Sequence, residues 1–130
     1  LFKYIHHVAI ICSDYKKSKH FYVNILGLKI INETYRSERN SYKLDLEMGN
    51  SQIELFSFPE SPERSSYPEA RGLRHLAFAV EDVQVCVNWL EKQKVVVEPI
   101  RTDEATGKKF TFFSDPDGLP LELYETNTYL

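Results

Sequence analysis

The chain has 130 residues and a mass of 15.2 kDa, room for one cored domain of ordinary size and not for two large ones. Its residues are 42% hydrophobic and 27% charged, with 16 basic against 19 acidic for a formal net charge of -3. That balance suits a globular protein and excludes an intrinsically disordered one. The basic runs Lys16-Lys17 and Lys108-Lys109 are too short to make a duplex-binding surface, so no nucleic-acid partner is expected. No stretch approaches the roughly 20 apolar residues of a membrane span, and no basic region followed by an apolar run opens the chain. The expectation is a cytoplasmic protein with no membrane partner. Cys12 and Cys86 form neither a CxxC pair nor a disulfide framework and are expected to pack as small buried thiols.

In chain order, Tyr4 to Cys12 is rich in β-branched and apolar residues and ends at Ser13-Asp14, a helix-cap signal. From Tyr15 to Leu26, apolar residues return every three or four positions and Gly27 follows, so a capped amphipathic helix is predicted. Leu28 to Tyr35, Tyr42 to Met48 and Gln52 to Phe58 read as strands, separated by charged Ser37 to Asn40 and by a Gly49-Asn50 turn. Pro59 to Gly72, with three prolines, reads as a surface connector. Leu73 to Val80 then reads as a strand, and Val83, Cys86, Val87 and Leu90 mark a second helix after Asp82. Val95 to Ile100, Phe110 to Phe113 and Leu119 to Glu125 are the remaining strand candidates, the last two joined by the turn Asp115-Pro116-Asp117-Gly118.

Both halves therefore read β-α-β-β-β, and they share one register. His7 and His75, Ala9 and Ala77, Asp14 and Asp82, and Glu54 and Glu122 all lie 68 residues apart. The expected organisation is one domain over 1–130, built from modules at about 4–58 and 73–125 with a connector at 59–72. A single module of this size is too small to be secure alone, so the two should share a core or enclose a site.

Each module places a histidine in its first strand and a glutamate in its last, giving His7, Glu54, His75 and Glu122. Strand alternation sets each of them on the face opposite its apolar neighbours. Two imidazoles and two carboxylates are donors suited to one divalent ion per site, whether nickel, cobalt, zinc, manganese or iron. A structural histidine and an ordinary buried ion pair are the plain alternative for any one of these residues. The repeated spacing, 47 residues from histidine to glutamate in both halves, brings the metal reading level with that alternative. His6 should face away from His7, and His20 falls within the first helix. Phe56, Phe58, Phe110, Phe112 and Phe113 could line a ligand cleft, with a place in the core as the equal alternative for most of them and Phe112 and Phe113 on opposite faces. Arg39, Lys43, Arg71, Arg74, Arg101 and Lys109 could meet an anionic substrate, with plain solvation as the alternative.

With these residues in place, the sequence resembles the glyoxalase, bleomycin-resistance and extradiol dioxygenase superfamily, the vicinal oxygen chelate fold, over residues 4 to 125. The resemblance rests on His7 with Asp14 and Leu26-Gly27-Leu28, on Glu54 in Ile53-Glu54-Leu55, on His75 in Leu73-Arg74-His75-Leu76-Ala77-Phe78, and on Glu122 after Asp115-Pro116-Asp117-Gly118. Within the superfamily it is most similar to uncharacterised bacterial glyoxalase I-like proteins.

The resemblance implies an α+β fold of two tandem β-α-β-β-β modules forming a curved mixed sheet around a metal cleft, and a homodimer. It implies metal ligation by His7, Glu54, His75 and Glu122. It also implies lyase or isomerase chemistry on a small 2-oxoaldehyde-thiol adduct or related carbonyl compound through an enediolate. Glu122 or Glu54 would move the proton, and Glu122 is favoured. Bacterial glyoxalase I carries an arginine implicated in glutathione binding four residues after its first metal histidine; here that position is Ile11, which puts glutathione in doubt. A metal-dependent epimerase, a thiol transferase and a nonenzymatic small-molecule binding protein of the same fold stay open.

Overall fold

In the computed structural model, which describes residues 1–126, the first apolar run forms β1 (His7–Cys12). It starts at His7 rather than Tyr4 because its parallel partner begins at the register His7↔Gln52. Before that point only the His6 carbonyl accepts a ladder-like bond, from Gln52 N at 2.9 Å. Tyr4 and Ile5 have no strand beside them and lie exposed.

Asp14 caps the following helix, its carboxylate accepting from Lys17 N at 3.1 Å. That helix differs from the expected uniform one. It is α-helical over α1 (Tyr15–Lys19) and then widens into a π-helical stretch, His20–Ile25. The wider turn turns two adjacent aromatic rings inward: Phe21 and Tyr22 are both buried and meet edge to face at 5.1 Å. Gly27 follows with φ +77, the left-handed conformation that ends a helix at least cost to glycine.

Strands β2 (Lys29–Arg36), β3 (Ser41–Met48) and β4 (Ser51–Ser57) complete a four-stranded mixed sheet in the order β1-β4-β3-β2. A short 3-10 turn, Ser37–Arg39, joins β2 to β3. The core of this unit lies on one face of the sheet, where Ile10, Leu44, Leu46, Ile53 and Leu55 are almost wholly buried. Each such side chain stabilises the fold by about 1.5–3 kcal/mol relative to an exposed one.

The second unit repeats the plan. It has β5 (Leu76–Val80), α2 (Val83–Lys92), β6 (Arg101–Thr102), β7 (Lys109–Ser114) and β8 (Pro120–Glu125), in the sheet order β5-β8-β7-β6. The 68-residue offset holds in three dimensions, since Ala9 pairs with Glu54 and Ala77 with Glu122 in equivalent parallel ladders. Two tandem β-α-β-β-β-like modules, each with its own mixed sheet, make an α+β architecture. By backbone contacts the chain divides into one unit of Leu1–Glu63 and a second that begins at Arg64.

The stretch Val95 to Ile100 is not a strand, contrary to its composition; β6 is only Arg101–Thr102. The segment is tied to β7 by isolated bonds, Glu98 N to Phe112 O at 3.0 Å and Thr111 Oγ1 to Glu98 O at 2.7 Å. Pro99 then removes the next donor, so no ladder forms until Arg101. At the turn before β8, buried Asp115 accepts from Asp117 N at 2.8 Å and Leu119 N at 2.9 Å. Among the described residues no helix is long and apolar enough to cross a membrane.

Helix α2 begins under two carboxylates. Asp82 Oδ1 accepts from Val85 N at 3.1 Å, and Glu125 Oε2, from β8, accepts from Val83 N at 3.0 Å. Replacing Asp82 by alanine is expected to lower stability by about 1 kcal/mol with an unchanged denaturant slope. Equilibrium urea unfolding reads this; a midpoint equal to that of the parent protein would show that the cap contributes nothing.

Candidate functional site

In the first unit, alternation along β1 buries Ile10 and Cys12 on the helix side and leaves His7, Ala9 and Ile11 on the other face. The parallel register brings Glu54 onto that same face, with His7 Nε2 3.5 Å from Glu54 Oε2. The glutamate side chain is largely sheltered and the imidazole is about half open. The hairpin between β3 and β4 adds Asp45 directly across from Glu54. Two carboxylates side by side would repel. Lys43 offsets this, its Nζ lying 2.7 Å from Asp45 Oδ1 and 3.9 Å from Glu54 Oε2. Farther along this face, the Arg36 guanidinium lies over the rings of Phe56 and Phe58, at 5.1 and 5.8 Å, and donates to Ser41 Oγ.

In the second unit, His75 immediately precedes β5 and its Nε2 is 3.0 Å from Glu122 Oε1. Arg74 Nη1 approaches His75 Nδ1 at 3.0 Å. A guanidinium can only donate, so Nδ1 accepts, and the Nε2 proton of a neutral ring faces Glu122. Where the first unit sets Asp45 beside its glutamate, the second sets Phe112. The Phe112 ring meets His75 edge to face at 5.0 Å. Tyr124 shares the face of Glu122 and donates to Asp103 Oδ2 at 2.9 Å, while the Thr106 hydroxyl donates to Tyr124. These bonds fasten the turn between β6 and β7 to the site face. The Tyr124 bond is the main reason that the Asp103 carboxyl sits below the usual carboxylate range, with backbone Ala105 N assisting.

The predicted residues thus meet as two His-Glu pairs, one in each unit. Among the described residues no group of three or more histidine, cysteine, aspartate or glutamate side chains is arranged to hold a metal ion. His6 departs from expectation. It lies before the ladder begins, so strand alternation does not govern it, and its Nδ1 is 2.9 Å from His7 Nδ1 with one ring donating to the other. Phe113 is buried in the core and Phe112 is not, as alternation requires. Cys12 is buried, while Cys86 is only half-buried; burial is the main cause that pushes its thiol up from the ordinary value, aided by Asp82.

Asp45 was the site-face residue missed by sequence reasoning, and a signal for it existed. Counting outward from the two-residue Gly49-Asn50 turn sets Met48 against Ser51 and therefore Asp45 against Glu54. On the opposite face of the same sheet, Tyr15 stacks on Tyr42 at 4.2 Å and its hydroxyl donates to Glu33, which also takes Lys19 Nζ at 2.8 Å. Lys19, then Tyr15, hold the Glu33 carboxyl below its ordinary range.

A β-α-β-β-β module repeated with the same strand order, and with a His-Glu pair at equivalent positions, defines a class of duplicated α+β proteins. The chain belongs to the Glyoxalase/Bleomycin resistance protein/Dioxygenase superfamily, whose family model matches residues 4–123. It is 64% identical to uncharacterized protein YwkD of Bacillus subtilis (strain 168) over 126 residues, covering 96% of this chain and 98% of that one. The crystal structure of the glyoxalase family protein from Enterococcus faecalis superposes with a TM-score of 0.89 at 53% identity, covering 95% of this chain and 98% of that one. Metallothiol transferase FosB of Staphylococcus saprophyticus is 32% identical over 92% of this chain and 75% of its own length. Members of the superfamily are generally metal-dependent.

Replacing Tyr124 by phenylalanine removes the principal hydrogen bond to Asp103. The Asp103 carboxyl is then expected to titrate at higher pH than in the parent, read by carbon-detected NMR of the side-chain carboxylate. An unshifted titration would mean that Tyr124 does not hold the turn through this bond.

Proposed function

We propose that the protein is a divalent-metal-dependent lyase or isomerase of the glyoxalase I type, acting on a small 2-oxoaldehyde-thiol adduct or related carbonyl compound. The observation that carries this reading is the duplicated His-Glu pair, the glutamate set by the same parallel-strand register in both units and the histidine at or just before the start of the first strand. The ligand set is His7 and Glu54 with His75 and Glu122, one ion for each such set, in a homodimer. Donor chemistry supports this. Two ligand atoms each about 2.1 Å from a common ion, at bond angles of about 90–110°, lie about 3.0–3.4 Å apart. The two His-Glu separations, 3.5 and 3.0 Å, sit close to that range.

When bound, the ion supplies Lewis-acid stabilisation of the oxyanion that forms as a proton leaves the carbon next to a carbonyl. The residues divide the remaining work unequally. Glu54 is engaged by His7 and approached by Lys43, so it is the better-anchored carboxylate. Glu122 has His75 as its ion-pair partner among the described residues and the Phe112 ring opposite. It is the carboxylate with room to take a proton and return it through an enediolate, and is assigned as the base. Ligation through His75 Nε2 would put the ring proton on Nδ1, so Arg74, which meets Nδ1 in the metal-free ring, would turn away from it when the ion binds. Phe112 and Phe110 shield the same face from water.

Metal-dependent epimerisation rests on the same proton transfer. A thiol transferase is favoured as the second reading by the 32% identical metallothiol transferase. Ile11, on the His7 face and about half exposed, offers no charge to a glutathione carboxylate, so other thiols lead.

Metal analysis is expected to find about one ion per set of ligands in the parent protein and a marked loss in His75→Ala. Solvent exchange at the α carbon of thiol adducts of 2-oxoaldehydes should fall about 10²–10⁴-fold in Glu122→Gln. Equal metal in parent and His75→Ala, or unchanged exchange in Glu122→Gln, contradicts the reading; thiol addition to an epoxide without α-carbon exchange selects the transferase.

A further inference from the structure

The second unit contains a cavity of about 510 Å³ whose rim gathers four of the chain's arginines, Arg64, Arg71, Arg74 and Arg101, against two carboxylates, Glu69 and Glu98. In a chain with a net charge of -3, this is a local reversal of sign. We infer that the cavity is an oxyanion subsite, which holds a carboxylate or phosph(on)ate group of the substrate next to His75 and Glu122.

The arginines are placed differently, and together they leave positive charge unanswered. Arg64 is committed to main chain: its Nη2 donates to Leu73 O at 3.1 Å and Arg74 O at 2.9 Å, and its Nε to Ser66 Oγ at 2.8 Å. It closes the 64–74 segment into a loop without meeting a carboxylate. Arg101 is packed by its flat face over Phe110 at 5.0 Å and Phe112 at 5.7 Å. Its contact with Glu98, at 3.3 Å, joins two side chains that are each more than half exposed, a pairing of little strength. Arg74 is turned to His75 Nδ1. Arg71 has no ion-pair partner among the described residues. Next to it, Gly72 has φ +118, which lets the chain turn sharply between Arg71 and Arg74 with no side chain at that point.

Planar guanidiniums with forked donors match the oxygens of a carboxylate or phosphate better than any other side chain. The aromatic floor fixes Arg101 and lowers the entropy lost when it binds. Phe112 lines the cavity and also meets the His75 ring edge to face. An anion held here therefore sets the rest of its molecule beside the His75-Glu122 pair. Substrate placement of this kind rests on the function proposed above; anion binding itself does not.

The test uses the full chain freed of metal with a chelator, titrated with inorganic phosphate and, separately, with acetate, and followed by calorimetry and by amide shifts. Phosphate should bind with shifts at Arg71, Gly72 and Phe112, and Arg71→Gln with Arg101→Gln should weaken it at least about tenfold. The thermal midpoint of the doubly substituted protein should stay near that of the parent, and Arg39→Gln, in the first unit, should leave phosphate binding as it was. Acetate binding at the same amides would extend the subsite to carboxylates, and shifts with phosphate alone would restrict it to phosph(on)ates. Equal phosphate affinity in parent and doubly substituted protein, or shifts elsewhere only, would overturn the subsite. Because no metal is present, failure of the metal centre leaves this result standing, and failure here leaves the metal centre untouched.

Discussion

In each unit the first strand runs parallel to the last, and that ladder sets Ala9 against Glu54 and Ala77 against Glu122. A one-residue slip would turn every side chain of the strand to the other face, burying the glutamates and exposing Ile53 and Leu55 or Leu121 and Leu123. Those four residues are almost completely buried. Hydrophobic burial on one face therefore fixes the register that presents histidine and glutamate on the other. Core and candidate site are two sides of one constraint, and this is why the two glutamates occupy equivalent positions in both units.

Equivalent positions have nevertheless diverged in character. Around Glu54 the face is charged, with Asp45 and Lys43 forming a compact pair. Around Glu122 it is aromatic, with the Phe110 ring meeting both Phe112 and Tyr124. The first unit holds its carboxylate by electrostatics; the second surrounds its carboxylate with rings and leaves arginines at the edge. On the proposed function the charged half would anchor the site and the aromatic half would face the substrate, a division of labour suited to proton transfer next to a carbonyl.

Much of this is legible in the sequence. Asp14 and Asp82 announce their helices because a carboxylate before an apolar-periodic run satisfies orphan amides, and both do so here. The offset between Glu54 and Glu122 survives because strand register is tied to burial. Other features depend on tertiary context that local pattern does not carry. The π-helical stretch at His20–Ile25 follows from packing two adjacent rings, Phe21 and Tyr22, into one core. Val95 to Ile100 has strand composition but only scattered bonds to β7. The contact of His6 with His7 exists because the ladder starts at His7, three residues later than the sequence pattern would place it. Arg64 falls within the segment expected as a surface connector, and only the closure of its loop gives it carbonyl partners.

The central claim is that both His-Glu pairs serve one ion. X-ray absorption on metal-reconstituted protein measures this directly, through the multiple-scattering signature of imidazole. The account predicts two histidine ligands with oxygen donors filling the rest of the first shell, and one histidine fewer in His7→Ala as well as in His75→Ala. A first shell with one imidazole or none in the parent protein, or one unchanged by either substitution, would contradict it.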